Sequence, residues 1–345
     1  MSSTTELDIE NPEHLVRYLR SIKLIRPDES IEAQILAGGV SNRTMLVTRP
    51  GGTQWVVKQA LEKLRVQVDW FSDPVRIHRE ADGLEWLESV LPSKNVPALV
   101  FDDYEKHIIG MTAVPQPHES WKTVLLNGTV ESDAIRQFGQ ILAKIHRPLP
   151  TSNDDLEDLF EAFGDRSFFE SLRLEPYYAY SATQVSEASQ FLNRLIEKTM
   201  TRQFSVVHGD YSPKNVLVYQ GDLVILDYEV IHIGDPAFDL GFSLTHLLSK
   251  AHYVKSSRQT FLDAALLYWQ TYREYQGEMP YSDFEASVVE HTLACLLARA
   301  VGRSPLEYLN SAQRERQTKI VLNILKNQPS TVPQLIDRFG NLLEQ

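Results

Sequence analysis

The sequence predicts an α+β chain of two lobes, a small antiparallel-sheet lobe followed by a larger, mainly helical one. Three observations predict it. Short β-leaning runs with glycine-bearing turns occupy residues 31–59 and 98–114, around one strong helix. Pro115 and Pro117 then break regular structure. Beyond them apolar residues recur at helical spacing almost to the end, interrupted by β-type segments between 205 and 229. The expected division is therefore an N-terminal sheet lobe over 1–114 and a C-terminal helical lobe over 115–345.

Asn11-Pro12-Glu13 supplies an N-cap, a proline at the first helical position and an acid in the first turn, so a short helix runs to about Ser21. Ile31–Gly39, Ser41–Val47 and Gln54–Gln59 read as an antiparallel meander, turned by Pro50-Gly51-Gly52. Asp73-Pro74 starts a helix with a core face at Ile77, Leu84, Trp86 and Leu87. Strands at Ala98–Phe101 and His107–Val114 follow. Asp133–His146 and 184–200 read as amphipathic helices, and 151–180 is acidic and aromatic. Helices fill the chain from 236 onward.

The formal net charge of −12 argues against nucleic acid as a partner. It suits a cationic acceptor, though neutral-substrate enzymes share it. Cys295 stands alone, which excludes an internal disulfide and a thiolate zinc site. It lies in an apolar run and reads as a buried thiol. The first residues lack a basic segment followed by an apolar run, and no stretch approaches the ~20 apolar residues of a membrane helix. The expectation is a cytoplasmic protein without membrane contact, monomeric or homodimeric.

The chemistry-bearing pattern is Val206-Val-His-Gly-Asp-Tyr-Ser-Pro-Lys-Asn-Val-Leu-Val-Tyr219, then Leu223-Val-Ile-Leu-Asp-Tyr-Glu229. Asp210, Asn215 and Asp227 are expected at the ends of adjacent short strands in a hairpin. Phosphoryl transfer requires such a set. Magnesium takes hard oxygen ligands, which Asn215 and Asp227 supply, and a further carboxylate, Asp210, faces the acceptor hydroxyl. An ordinary Asp has a pKa of about 3.9 and is a weak base at neutral pH, so Asp210 orients the hydroxyl more than it activates it. A lysine is needed on the nucleotide side. Lys58 points from an apolar strand and needs a partner, for which Glu80 on the next helix is the candidate. Gly38-Gly39 and Ser41-Asn42 lie in the first turn, where backbone N–H groups can approach phosphate.

These residues resemble a known family. His208-Gly-Asp210…Asn215, with Leu226-Asp-Tyr-Glu229…Gly234-Asp-Pro-Ala-Phe-Asp-Leu240, is similar to the aminoglycoside phosphotransferase family. That family includes choline-kinase-like and methylthioribose-kinase-like enzymes and has the protein-kinase-like fold. The resemblance implies Asp210 as the catalytic acid, Asn215 and Asp227 as metal ligands, Lys58 on the nucleotide phosphates and Glu80 paired with it. It implies that 111–114, with Met111 and Val114, form the hinge against adenine, and that Asp239 braces the catalytic loop. The implied reaction transfers the γ-phosphate of ATP, with Mg2+, to a hydroxyl of a small molecule of aminoglycoside, choline-like amine or sugar type. Asp227-Tyr-Glu229 differs from the Asp-Pro-Glu of methylthioribose kinases, which leaves the acceptor open. A catalytically silent nucleotide-binding pseudokinase or scaffold is the alternative. His208 reads as a buried histidine bonded around the loop, with base or metal ligand as the competing role. Arg299 and Arg303 read as structural pairs or as contacts to an anionic substrate.

Overall fold

The computed structural model describes residues 7–36, 40–65, 69–278 and 281–345. Its first half is a five-stranded antiparallel sheet of order β1-β2-β3-β5-β4. The strands are β1 (Glu32–Ile35), β2 (Asn42–Thr48), β3 (Gln54–Ala60), β4 (Leu99–Asp103) and β5 (Ile108–Thr112). Helix α1 (Pro12–Ser21) precedes the sheet, with Asn11 Oδ1 accepting from the N–H groups of Glu13 and His14 as the cap pattern requires.

The two-residue period of a strand divides β3 between two cores. Trp55 and Val57 join Leu15 and Leu19 of α1 in a small outer core. Val56 and Ala60 face the other way, toward α2 (Arg76–Val90), and join the main core with Ile109 and Met111 of β5. Lys58 shares that second face, so the strand alternation itself turns its side chain toward α2. The helix in turn packs on the second half of the chain. A Cβ at Gly83 would come within 2.9 Å of Tyr228 Cβ, an approach that only glycine permits. One continuous core thus runs from the sheet into the helical part, across the boundary that the prolines mark.

After the connection at 113–118 come β6 (Glu119–Ser120), α3 (Trp121–Leu126), α4 (Ser132–Ile145), α5 (Asn153–Phe163) and the short α6 (Ser167–Phe169). A π-helical stretch, Glu170–Ala179, follows, and then α7 (Tyr180–Gln184) and α8 (Ser186–Thr201). The β-type region holds β7 (Ser205–Val207), β8 (Val216–Tyr219), β9 (Asp222–Ile225) and β10 (His232–Gly234). Helices α9 (Ala237–Tyr253), α10 (Arg258–Gln276), α11 (Phe284–Val301), α12 (Ser311–Leu325) and α13 (Val332–Glu344) complete the chain. α9 is buried on nearly every side, with α10 and α11 packed against it.

The β-type region departs from the expected single hairpin. β7 pairs with β10, whereas β8 and β9 form the hairpin and pair with β6 in a different sheet. Asn215 and Asp227 therefore flank the hairpin, while Asp210 leaves a strand of the other sheet. The cause is local. Gly209 has φ +78°, and a Cβ there would lie 2.8 Å from the carbonyl oxygen of Val230. The chain turns away from β7 at a residue that has to be glycine.

Candidate active site

The loop after β7 is fixed by an acid remote in sequence. Asp239, fully buried at the start of α9, accepts from the backbone N–H of His208 at 2.7 Å and of Gly209 at 2.8 Å. It also lies 3.0 Å from Nε2 of His146. Burial opposes its ionisation, but the hydrogen bond and charge of His146 and the amides hold its carboxyl below the usual range. His208 is buried and its Nδ1 accepts from the N–H of Asp210 at 3.2 Å. Burial pushes its pKa down, so it stays neutral and serves the loop.

Asp210 is the focus of this loop. Its Oδ2 accepts from Asn215 Nδ2 at 2.7 Å, Arg173 Nη2 at 2.8 Å and, more distantly, Lys214 Nζ at 3.7 Å. Burial would raise its pKa, but Arg173, then Lys214 and the Asn215 amide, outweigh it and bring the group down to about 2. The carboxylate is thus ionised at any physiological pH, with the second oxygen, Oδ1, outside these three contacts. An ionised acid of this kind accepts a hydrogen bond from a hydroxyl and holds it in place. It is a poor general base.

Asn215 uses its amide NH2 on Asp210, toward both Oδ2 and the main-chain oxygen. That orientation turns Oδ1 the other way. Asn215 also accepts at its carbonyl from the N–H of Leu226, one residue before Asp227. Asp227 has φ +71°, a left-handed conformation that Asp tolerates better than most side chains and that gathers at functional sites. The donor set is therefore an amide oxygen and a carboxylate on two tied segments. These are hard oxygen ligands suited to Mg2+. Among the described residues no group of three or more His, Cys, Asp and Glu side chains forms a metal cage.

Across the cleft Lys58 Nζ bonds Oε1 of Glu80 at 2.6 Å. Glu80 is fully buried, and its Oε2 has no partner among the described residues. Burial first, and then Asp227 and Glu229, push the Glu80 carboxyl up against the pull of Lys58. Lys58 is held above its ordinary range because Glu80 and Asp227 outweigh its burial. Lys58, Glu80 and Asp227 thus share one electrostatic field.

The remaining expected residues are placed as follows. Ser41 and Asn42 are buried at the start of β2, and the Ser41 carbonyl accepts from Leu61 N and from Arg76. Gly38 and Gly39 lie outside the described residues. Met111 is a strand residue buried in the main core, and Val114 lies in the connection with its carbonyl 3.1 Å from His118 Nδ1. Arg299 donates to Tyr177 OH and to Ser304 Oγ, both at 3.1 Å, and Arg303 pairs with Glu175 at 3.0 Å.

Four residues of this constellation have no place in the acid-amide-acid pattern: Arg173, Lys214, Arg76 and Glu229. Lys214 stands four residues after Asp210, a spacing that carries a signal. Arg76 is fully buried and donates to the carbonyls of Ser41, Leu61, Ser72 and Asp73 and to Glu229 Oε2 at 3.3 Å. Nothing in its sequence neighbourhood marks it.

A small sheet with a buried Lys–Glu pair, set against a helical body with a His-Gly-Asp loop, defines a protein-kinase-like phosphotransferase. The chain belongs to the phosphotransferase enzyme family (APH), whose model matches residues 32–277, and is in class a small-molecule phosphotransferase. The fold is shared with solved structures of low identity. The amicoumacin kinase hAmiN, solved with AMP-PNP, Ca2+ and Ami, is 13% identical with a TM-score of 0.57, over 95% of this chain and 99% of that one. A choline/ethanolamine kinase family protein from Mesorhizobium loti is 13% identical with a TM-score of 0.52, over 96% and 98%. Macrolide 2'-phosphotransferase type I is 16% identical with a TM-score of 0.51, over 91% and 98%. No curated protein matches the chain.

Proposed function

We propose that this protein transfers the γ-phosphate of ATP to a hydroxyl of a small molecule. The observation that carries this reading is the state of Asp210, a buried carboxylate kept ionised by Arg173, Lys214 and Asn215. Residues 1–114 would carry the nucleotide and 115–345 the acceptor. Lys58, set by Glu80, would meet the nucleotide phosphates, with the backbone at Gly38, Gly39, Ser41 and Asn42 beside them and 111–114 against the base. Asn215 Oδ1 and Asp227 would hold Mg2+, which neutralises charge between the phosphates when bound.

Asp210 accepts the acceptor's hydroxyl hydrogen bond and fixes the line of attack. The hydroxyl oxygen bonds to the γ-phosphorus as the bond to the β–γ bridging oxygen breaks, and ADP leaves. The hydroxyl proton passes to Asp210 late and from there to solvent, because the transition state is loose.

Purified protein is assayed for acceptor-dependent ADP release over a panel of hydroxyl-bearing metabolites and antibiotics. Asp210→Asn should lower kcat about 10³-fold while ATP affinity, read by titration calorimetry, stays within about threefold of wild type. Wild-type turnover in that variant would remove Asp210 from the chemistry.

A further inference from the structure

Beside the Asp210 loop lies a second charge pattern, most of which phosphate transfer does not use. α9 places His246 and Lys250 one helical turn apart, and α11 places Arg299. All three are basic and buried, at 4%, 0% and 7% exposure. Lys122 of α3 and Lys214 of the Asp210 loop stand at the rim, with side chains 31% and 50% exposed. The fields of Lys250, Arg299, Lys214 and Lys122 all reach His246.

The group lies next to the reacting end. Tyr177 is flanked by the guanidinium of Arg173 at 5.9 Å and that of Arg299 at 5.5 Å. Arg173 touches Asp210. Arg299 is therefore separated from the acid that orients the hydroxyl by the Tyr177 ring and the Arg173 guanidinium.

The charges in this group are not balanced. Among the described residues, no carboxylate lies within ion-pair distance of Lys250 or Arg299. Lys250 Nζ reaches only the His246 carbonyl at 3.3 Å and the face of Tyr308 at 5.5 Å. Glu307 is the one acid whose field enters, and it is bound to Lys122. Among the described residues, Arg299 Nε, His246 Nε2 and Tyr308 OH are buried there without hydrogen-bond partners. Uncompensated buried cations are costly, and an anion relieves that cost.

We propose that the phosphate acceptor is an anionic hydroxyl compound whose carboxylate or phosphate is held by Lys250 and Arg299, with His246 and Tyr308 donating and Lys122 and Lys214 at the entrance. This rests on the phosphotransfer reading and narrows it. A choline-like amine or an aminoglycoside would set its own positive charge against these groups.

Lys250 adds a signature. Burial, and then Lys122 and Arg299, bring its pKa down to about 7 against the pull of Glu307. Most of it is neutral at pH 8. A bound anion favours the ammonium form, so binding takes up a proton, and affinity falls as pH rises above about 7.

Two matched series test the inference on the full chain: glycerol, glycerate, glycerol phosphate and aminopropanediol; sorbitol, gluconate, sorbitol phosphate and glucamine. With ATP and magnesium, the anionic members should exceed their neutral parents in kcat/KM by at least about tenfold, and the amines should rank last. The carboxylate and phosphate arms distinguish the two anions. Lys250→Met should raise KM for the preferred anion about 30-fold, mostly sparing kcat, and Lys250→Arg should restore most of it. Circular dichroism confirms folding of each variant. Calorimetry at pH 8, in buffers of unequal ionisation enthalpy, should show proton uptake in wild type and none in Lys250→Met. Preference for a neutral or amine member overturns the anionic site alone, as does an unchanged KM in Lys250→Met. Anion binding with proton uptake but without turnover of any member leaves the site standing and overturns the phosphotransfer reading.

Discussion

Asp210 and Glu80 are both buried carboxyls with a basic nitrogen closer than 3 Å, yet they settle on opposite sides of their ordinary values. Asp210 goes down to about 2 and Glu80 up to about 7. Burial is common to both, so it cannot decide the sign. The company does. Asp210 Oδ2 takes an arginine, a lysine and an amide. Glu80 has Lys58 on one oxygen, nothing on the other, and the negative charges of Asp227 and Glu229 nearby. A cation on one oxygen does not by itself fix the sign; the summed field and hydrogen bonds of the neighbours do.

The same contrast sets the pH dependence of stability. Asp210 stabilises the fold above its ordinary value of 3.8, and that contribution is lost as pH falls from there to about 2. Glu80 acts the other way. Between its ordinary 4.5 and about 7 the folded state keeps a proton that the unfolded state has lost, so stability falls as pH rises through that window.

The largest expected effect that sharpens the comparison comes from the acid between the two. Asp227→Ala removes the proposed metal ligand and a negative neighbour of Glu80 together. The Kd for magnesium–ATP should rise about 100-fold, read by calorimetry. Unchanged affinity would take Asp227 out of the metal site. Next is Arg173→Gln, which deprives Asp210 of its strongest cation. The acid limb of the kcat–pH profile should move upward by about one pH unit, with kcat down about tenfold. A profile that does not move would mean that Lys214 and Asn215 suffice. The smallest effect is Glu80→Gln. KM for ATP should rise about fivefold, because Lys58 keeps a hydrogen-bond partner but loses its charge partner. Thermal melts should also lose part of the decline between pH 4.5 and 7. A steeper decline would reverse the direction assigned to Glu80.

Much of this was legible in the sequence. Two-residue alternation in Trp55-Val-Val-Lys58 predicts which way Lys58 points, and Glu80 follows from the next helix. His208-Gly-Asp210 and Asn215 announce their loop because local spacing sets their contacts. Arg173 is illegible for a physical reason. It comes 37 positions before Asp210, on a π-helical stretch whose wider turn carries side chains off the 3.6-residue rows that pattern reading assumes. The split of the β-type region into two sheets is hidden for a related reason. The turn at Gly209 that produces it sits in a loop whose His208 and Gly209 amides are held by Asp239, a long-range contact with no periodic signature. The buried basic residues His246 and Lys250 are invisible because a polar residue on an apolar helix reads as an exposed one.

Arg76 bears on how the sheet and the helical part stay joined. Its guanidinium clasps the Ser41 and Leu61 carbonyls on the sheet side and Glu229, two residues past Asp227, on the helical side. A yawning motion that swings the whole sheet away would strip a fully buried cation of its partners, which carries a large desolvation cost. The Ser41 and Leu61 end of the sheet and the Asp227–Glu229 turn are therefore tied together through one buried side chain.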